Sequence, residues 1–362
     1  MTMSNQHIPD IIKLSPNRVW RTYQGGRLLD AMTSQPEPAD THFPENWIAS
    51  TTRAVNHGRE DMVEEGLSKV DIDGNTYILK DLITAHPELT VGLEHYRKYG
   101  ADAGFLLKFL DPAIRLHIQC HPTIKFAQKY LSSNSGKTEG YIILGSREEV
   151  KDPHIYLGFD KVPTKDEMKA AIKAQDVDFM LSSLRKIPVK PGDAFLVPGG
   201  QPHAIGAGVF MVEIMEPTDF AVRVEFERGG YVLPESARFM NRDIDFALSM
   251  FEFNRLSNSE IEENFFVQPS ELEHQDKSTL YSVIDNRYTK CFKVDRLVVD
   301  GCFRLSRNSF YIAVVVSGKG EISSGGMSLK AAPGDQFMIP FKSEEVEFHS
   351  EDGKMEILLA SR

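Results

Sequence analysis

The sequence predicts a mainly β protein assembled from two similar β units, and three observations carry that expectation. Most of the chain reads as short strand-like runs broken by Gly, Pro, Asn and Asp. One octapeptide recurs: Pro191-Gly192-Asp193-Ala194-Phe195-Leu196-Val197-Pro198 is matched by Pro333-Gly334-Asp335-Gln336-Phe337-Met338-Ile339-Pro340, 142 residues further on (191 and 333). Upstream of each copy stands another strand followed by glycine, 141–144 before Gly145 and 311–316 before Gly318. Duplication of one β unit accounts for the shared order of strand, glycine, Pro-Gly-Asp turn and strand.

Strands are expected at 116–119, 141–144, 194–197, 209–213, 222–226, 303–305 and 311–316. Helices are confined to a few places. Thr164-Lys165-Asp166-Glu167 is a capping box opening a helix to about 174. A second helix is expected at 178–185 and a third stretch at 234–251, with Asp243 as an internal restart. The expected division is a first β unit over 1–233 with a helical insert at about 163–186, a helical connector over 234–268, and a second β unit over 269–362.

A length of 362 residues suits two domains. Lys plus Arg is 41 against 52 Asp plus Glu, a net charge of −11, which argues against a nucleic-acid binder. Cys120, Cys291 and Cys302 form no CxxC pair and fit a reducing cytoplasm. The first twenty residues lack the pattern of a signal peptide. The longest clean apolar run, 310–316, is far short of the ~20 residues that span a bilayer. No membrane or nucleic-acid partner is expected, and the chain is expected to act as a monomer or homodimer on a small molecule.

The chemistry concentrates in Gln119-Cys120-His121-Pro122, Gly136-Lys137-Thr138-Glu139-Gly140 and Pro202-His203-Ala204. In a strand, residues i and i+2 share a face, so Gln119 pairs with His121 and Lys137 with Glu139. With His203, one pocket gathers two imidazoles, a carboxylate and an amide oxygen, a first shell for a divalent metal. After Pro340 the second unit runs Phe-Lys-Ser-Glu-Glu with no histidine until His349, and it has no Gln-x-His. Metal is therefore expected only in the first unit. His42, His57, His86 and His95 have no spacing that links them to the site and read as surface or packing residues.

These motifs, with Leu106-Leu107-Lys108-Phe109-Leu110-Asp111 before them and His203-Ala204-Ile205-Gly206-Ala207-Gly208 closing the set, resemble the class I mannose-6-phosphate isomerases of the cupin superfamily. Arg18-Val19-Trp20 and Gly26-Arg27-Leu28 resemble the family's opening segment, and Glu213 and Arg223 fall within its later motif. The resemblance implies a mainly β, cupin-type (jelly-roll) double β-barrel with short helical insertions. It also implies a divalent metal, usually Zn2+, held by Gln119, His121, Glu139 and His203, and interconversion of mannose 6-phosphate and fructose 6-phosphate. Two departures fall on the substrate side. His117 stands where the family usually has a serine, a candidate for the phosphate pocket, and the segment 218–226 around Arg223 has drifted.

Aldose–ketose isomerisation moves a proton between neighbouring carbons through an enediol or enediolate. It needs a base over the C1–C2 edge and a stabiliser for the oxyanion. Glu213 and Lys137 are both candidates for the proton transfer. Arg223 offers a cationic fork for an enediolate or a phosphate, and Lys108 a second anion contact. Three readings stand at this stage: this isomerase, a cupin isomerase for another sugar or sugar phosphate, and a metal-containing sugar-binding or regulatory cupin without turnover. Iron dioxygenases of the superfamily usually carry a His-x-His pair, whereas here the first position is Gln119.

Overall fold

The computed structural model describes residues 7–362. Two antiparallel sheets form the first unit. A six-stranded sheet runs in the order Ala194–Val197, Glu139–Ser146, Val209–Met215, Leu106–Leu110, Glu45–Ile48, Arg18–Val19. A five-stranded sheet faces it in the order Leu184–Pro188, His154–Phe159, His203–Ile205, Gln119–Cys120, Val222–Arg223. Leu110, Tyr141, Ile143, Leu157, Phe195 and Met211 fill the space between them.

The six-stranded sheet is buried on both faces, so its strands read as near-continuous apolar runs. Alternation still sorts the side chains. Leu107 and Phe109, Ile142, and Val212 and Ile214 point outward and join the core shared with the second unit through Phe292, Val314 and Leu358. Lys108, Glu139 and Glu213 point the other way. Charged residues inside apolar strands are therefore carried on the inward face, where the site forms.

The second unit is one nine-stranded antiparallel sheet. Its main path runs Ile12–Lys13, Gln336–Ile339, Tyr311–Ser317, Glu345–Ser361, Lys293–Ser306, Ser278–Ile284, Ser270–Gln275. Gly320–Ser324 pairs with the folded-back strand Glu345–Ser361 and with Met327–Ala331. The sheet curls around Leu297, Phe303, Val315, Phe337, Phe348 and Ile357.

The repeat read from the sequence extends to individual bonds. Gly192 N donates to Ile143 O at 2.9 Å and Ile143 N to Asp193 O at 2.9 Å; Gly334 N donates to Val315 O at 2.9 Å and Val315 N to Asp335 O at 3.0 Å. Asp193 and Asp335 each accept the backbone N–H three residues before them, Lys190 and Ala332, at 2.9 Å. Both turn glycines lie in the left-handed region, φ 90° and 88°, which fixes the residue type.

The capping box at Thr164 opens helix Lys165–Ala174, and Asp176 caps helix Val177–Ser183. The stretch 234–251 is broken: Glu235–Arg238 is one short helix, and Asp243 caps a second, Ile244–Ser249, through Phe246 N at 2.7 Å. Expected strands 116–119 and 222–226 shrink to Gln119–Cys120 and Val222–Arg223, while single bonds continue beyond them, Val224 N to Ile118 O at 3.0 Å and Leu116 N to Ile205 O at 2.9 Å. Helices at Arg27–Met32, Leu79–Ala85, Pro87–Thr90, Leu93–Tyr99 and Ile124–Tyr130 lie outside the expected set. Pro87 and Gly92 cut the 79–99 segment into pieces too short to show a helical period. Among the described residues no helix is long and apolar enough to cross a membrane.

Candidate metal centre and active cleft

Two glycines let three loops meet. A Cβ at Gly136 would lie 2.5 Å from the Pro122 carbonyl oxygen, and one at Gly199 would lie 2.4 Å from it. Only glycine permits that approach. Lys137 N then donates to Pro122 O at 2.9 Å and Gly200 N to His121 O at 2.7 Å, tying the loops that carry His121, Lys137 and His203. Glu216 braces the turn from behind, accepting from Gly136 N at 3.0 Å and Thr138 N at 2.9 Å.

The result is a cluster of His121, Glu139 and His203, each 1 % exposed, with ligand atoms all within 4.8 Å of one another. His121 Nε2 lies 3.0 Å from Glu139 Oε1 and His203 Nε2 lies 3.4 Å from Glu139 Oε2. Those spacings are near the edge of a tetrahedron with bonds of about 2.1 Å. Each imidazole donates its Nδ1–H to a backbone carbonyl, His121 to Phe220 at 2.8 Å and His203 to Gln201 at 2.9 Å. Both Nε2 lone pairs therefore face the carboxylate, the arrangement by which proteins orient metal-binding histidines.

Burial, with Lys137 next, holds His121 neutral, its pKa lowered to about 3, and burial lowers His203. Burial works against ionisation of Glu139, but the Lys137 ammonium 3.1 Å away holds its carboxyl well below the usual range. The three acceptors receive N–H groups from Lys137, at 3.1 Å from Glu139 and 3.3 Å from His121, and from the Gln119 amide, 3.3 Å from His203. A half-turn of that amide presents its oxygen instead. Neutral imidazoles, an ionised carboxylate and an amide oxygen form a donor set that fits a divalent cation.

Beside the cluster lies a narrow cleft of about 40 Å³. Lys108, Lys137, Glu213 and Arg223 line it, with His117 at its wall. Lys108 does not present a free ammonium. It is buried between Glu213 at 3.2 Å and Glu45 at 3.4 Å, so it acts on an anion chiefly through those carboxylates. Burial pushes the Glu213 carboxyl up to about 8, against the pull of Lys108. Burial also opposes ionisation of Glu45, yet Lys108 and Arg21, with hydrogen bonds from Tyr23 and Trp47, hold it near 2. Arg223 is held by a single 3.4 Å bond to Ala237 O.

Sequence reading missed four members of this network. Tyr141 donates to Glu139 Oε2 at 2.6 Å; its i+2 spacing from Glu139 on a strand was the available signal. Tyr23, Glu45 and Arg21 arrive from segments far from the motifs. Tyr23 donates to Glu45 Oε1, and Arg21 lies 3.3 Å from Glu45 and 3.7 Å from Asp219.

Comparison with known proteins agrees with this geometry. A family described as "Mannose-6-phosphate isomerase, cupin domain" matches residues 286–360, the second unit. A mannose-6-phosphate isomerase of Streptococcus mutans is 28% identical over 255 residues, 70% of this chain and 72% of that protein. The fold is that of the mannose 6-phosphate isomerase from Bacillus subtilis, with a TM-score of 0.74 at 21% identity over 98% of this chain and 100% of the other. A mannose 6-phosphate isomerase bound with zinc and yttrium superposes with a TM-score of 0.71 at 16% identity, over 98% and 100% of the two chains. Fold and site together define a mainly β cupin with one His–Glu–His centre. Within that superfamily, the proteins it resembles in both sequence and fold are mannose-6-phosphate isomerases.

Proposed function

We propose that this protein is a metal-dependent aldose–ketose isomerase that interconverts mannose 6-phosphate and fructose 6-phosphate. The observation that carries the reading is Glu213, a buried carboxyl pushed up to about 8, in a cleft that Glu139 of the His121–Glu139–His203 cluster also lines. A base tuned to about the working pH is what proton transfer between C1 and C2 needs.

Charge supports an anionic substrate. In and behind the cleft, Arg21, Lys108, Lys137 and Arg223 are balanced by Glu45, Glu139, Glu213 and Asp219. A divalent ion would leave two positive charges with Glu213 ionised and three with it protonated, and either excess favours a phosphate monoester. Gln119, His121, Glu139 and His203 would hold that ion, zinc in this reading, which when bound polarises the substrate carbonyl and steadies negative charge on its oxygens.

Glu213 removes the proton from C2 of the aldose and returns it to C1. Lys108, paired with Glu213 Oε2, leaves Oε1 for that task. Lys137 donates toward the C1 oxygen as it becomes negative, the C2 hydroxyl proton passes to that oxygen as C2 becomes the carbonyl, and Arg223 stabilises the enediolate between. Three cysteines outside any disulfide fit a reducing cytoplasm.

The test is a coupled assay with mannose 6-phosphate on zinc-loaded protein, together with metal analysis. Turnover with about one ion per chain supports the reading. Turnover in deuterated water should place deuterium at C1 of the fructose 6-phosphate, apart from protons carried across internally. A different sugar phosphate is the second reading, favoured by His117 and the 218–226 segment, and parallel assays with other aldose phosphates decide it.

A further inference from the structure

Two buried polar atoms that line the active cleft have no hydrogen-bond partner, Arg21 Nη1 and His117 Nε2. They want opposite things. Arg21 is fixed by its other nitrogens, with Nε 3.3 Å from Glu45 and Nη2 3.7 Å from Asp219, and its guanidinium lies over the Trp47 ring. That leaves Nη1 as a cationic donor without an acceptor. His117 donates Nδ1–H to Glu225 O at 3.0 Å, and Glu225 is itself clamped by two 2.7 Å bonds from Arg115. With the proton fixed on Nδ1, Nε2 carries a lone pair and can only accept.

A buried donor or acceptor left unpaired is unfavourable, so the pair calls for a ligand that meets both. Such a ligand carries anionic oxygens and, a short distance away, a hydroxyl. We infer that Arg21 Nη1 holds the phosphate of the substrate, while His117 Nε2 accepts a hydrogen bond from one of its sugar hydroxyls. This deepens the isomerase reading and rests on it for the identity of the sugar. It also revises the expectation for His117, which is a hydroxyl reader rather than a phosphate contact. Arg21 brings a charge from the N-terminal segment to a substrate side whose other motifs have drifted.

Calorimetric titration of the zinc-loaded full chain with inorganic phosphate and with mannose 6-phosphate separates the two roles. Arg21→Met should weaken both ligands by about 10- to 100-fold, the loss of one charge-assisted donor, with metal content unchanged. Arg21→Lys keeps the charge beside Glu45 but lacks the fork, and should fall between. His117→Leu should leave inorganic phosphate binding intact and weaken mannose 6-phosphate by about 5- to 20-fold. His117→Gln, whose amide oxygen also accepts, should recover part of the loss.

Phosphate affinity that is the same in Arg21→Lys and Arg21→Met as in the unmodified protein overturns the anion site, as does an unmodified protein that binds no phosphate. Equal loss of both ligands in His117→Leu overturns the hydroxyl role. Binding as described without turnover would sink the isomerase activity and leave the site standing. Turnover with unchanged Arg21 variants would do the reverse.

Discussion

Glu139 and Tyr311 occupy the same place in the two units. Aligned on the Pro-Gly-Asp turns, Val197 faces Glu139 across one sheet and Ile339 faces Tyr311 across the other. The correspondence continues along the ladder. Glu213 corresponds to Leu359, and Lys108, its strand partner, to Asp295. In the first unit those positions hold the cluster carboxylate Glu139, the buried carboxyl Glu213 and the Lys108 ammonium paired with it. In the second, Tyr311 points a buried hydroxyl at nothing, Leu359 is core, and Asp295 is paired with Arg307. One backbone thus supports a reactive interior or an inert one, depending on about three inward positions.

The largest effect should follow from copying the second unit into the first. Glu139→Tyr, like His121→Ala or His203→Ala, should abolish both metal binding and activity, read by metal analysis and turnover. Ions retained at full occupancy would break the contrast between the units. Next, Arg223→Ala should cut kcat by about two orders of magnitude while the metal stays bound, as expected for loss of one preorganised donor.

Lys108→Met tests the buried pair. It leaves Glu213 and Glu45 without their shared cation and should cost roughly 3–5 kcal/mol of stability. It also gives a pH signature with a definite sign. Glu213 serves as base only when ionised, so kcat/KM should rise with pH through a limb near 8. Lys108 lowers that pKa, so its removal should move the limb to higher pH. A limb that stays in place would point to Lys137 as the base.

The counterpart change, Arg307→Met, should cost about 1.5–3 kcal/mol by thermal or urea unfolding and leave activity per folded molecule untouched. Smallest of all, Tyr311→Phe removes a hydroxyl that bonds to nothing. It should change stability by less than ~1 kcal/mol and leave metal content as it was.

Short-range spacing made the ligands legible. Gln119, His121, Lys137 and Glu139 sit at i and i+2, and His203 follows a Pro-Gly-Gly turn, so their convergence could be read without a structure. The duplicated turn was legible for the same reason, since positive φ restricts the residue to glycine. Arg21, Tyr23 and Glu45 were not, because they reach the cleft from a loop and from the inner strand Glu45–Ile48, which nothing local ties to the motifs. Lys108 was read as an anion contact. Its two carboxylate partners come from strands 63 residues before it and 105 after it, and only the sheet order places both beside it. The helices of 79–99 escaped notice because proline and glycine divide them into pieces of one or two turns.

The edge strand Ile12–Lys13 is hydrogen-bonded to Met338 and Phe337, so it closes the far unit and not the one that follows it in the chain. On a ribosome it is made 326 residues before that partner (12 and 338). At ordinary rates of synthesis the interval is roughly 16–65 s. Throughout that time only Ile12 and Lys13 wait for their partners, because Leu14 already bridges to Val70, Arg18 pairs with Asn46 and Arg21 N donates to His42 O. The first unit can therefore gather its His–Glu–His cluster and place Arg21 during translation, whereas the seam between the units closes only when the second Pro-Gly-Asp turn has emerged.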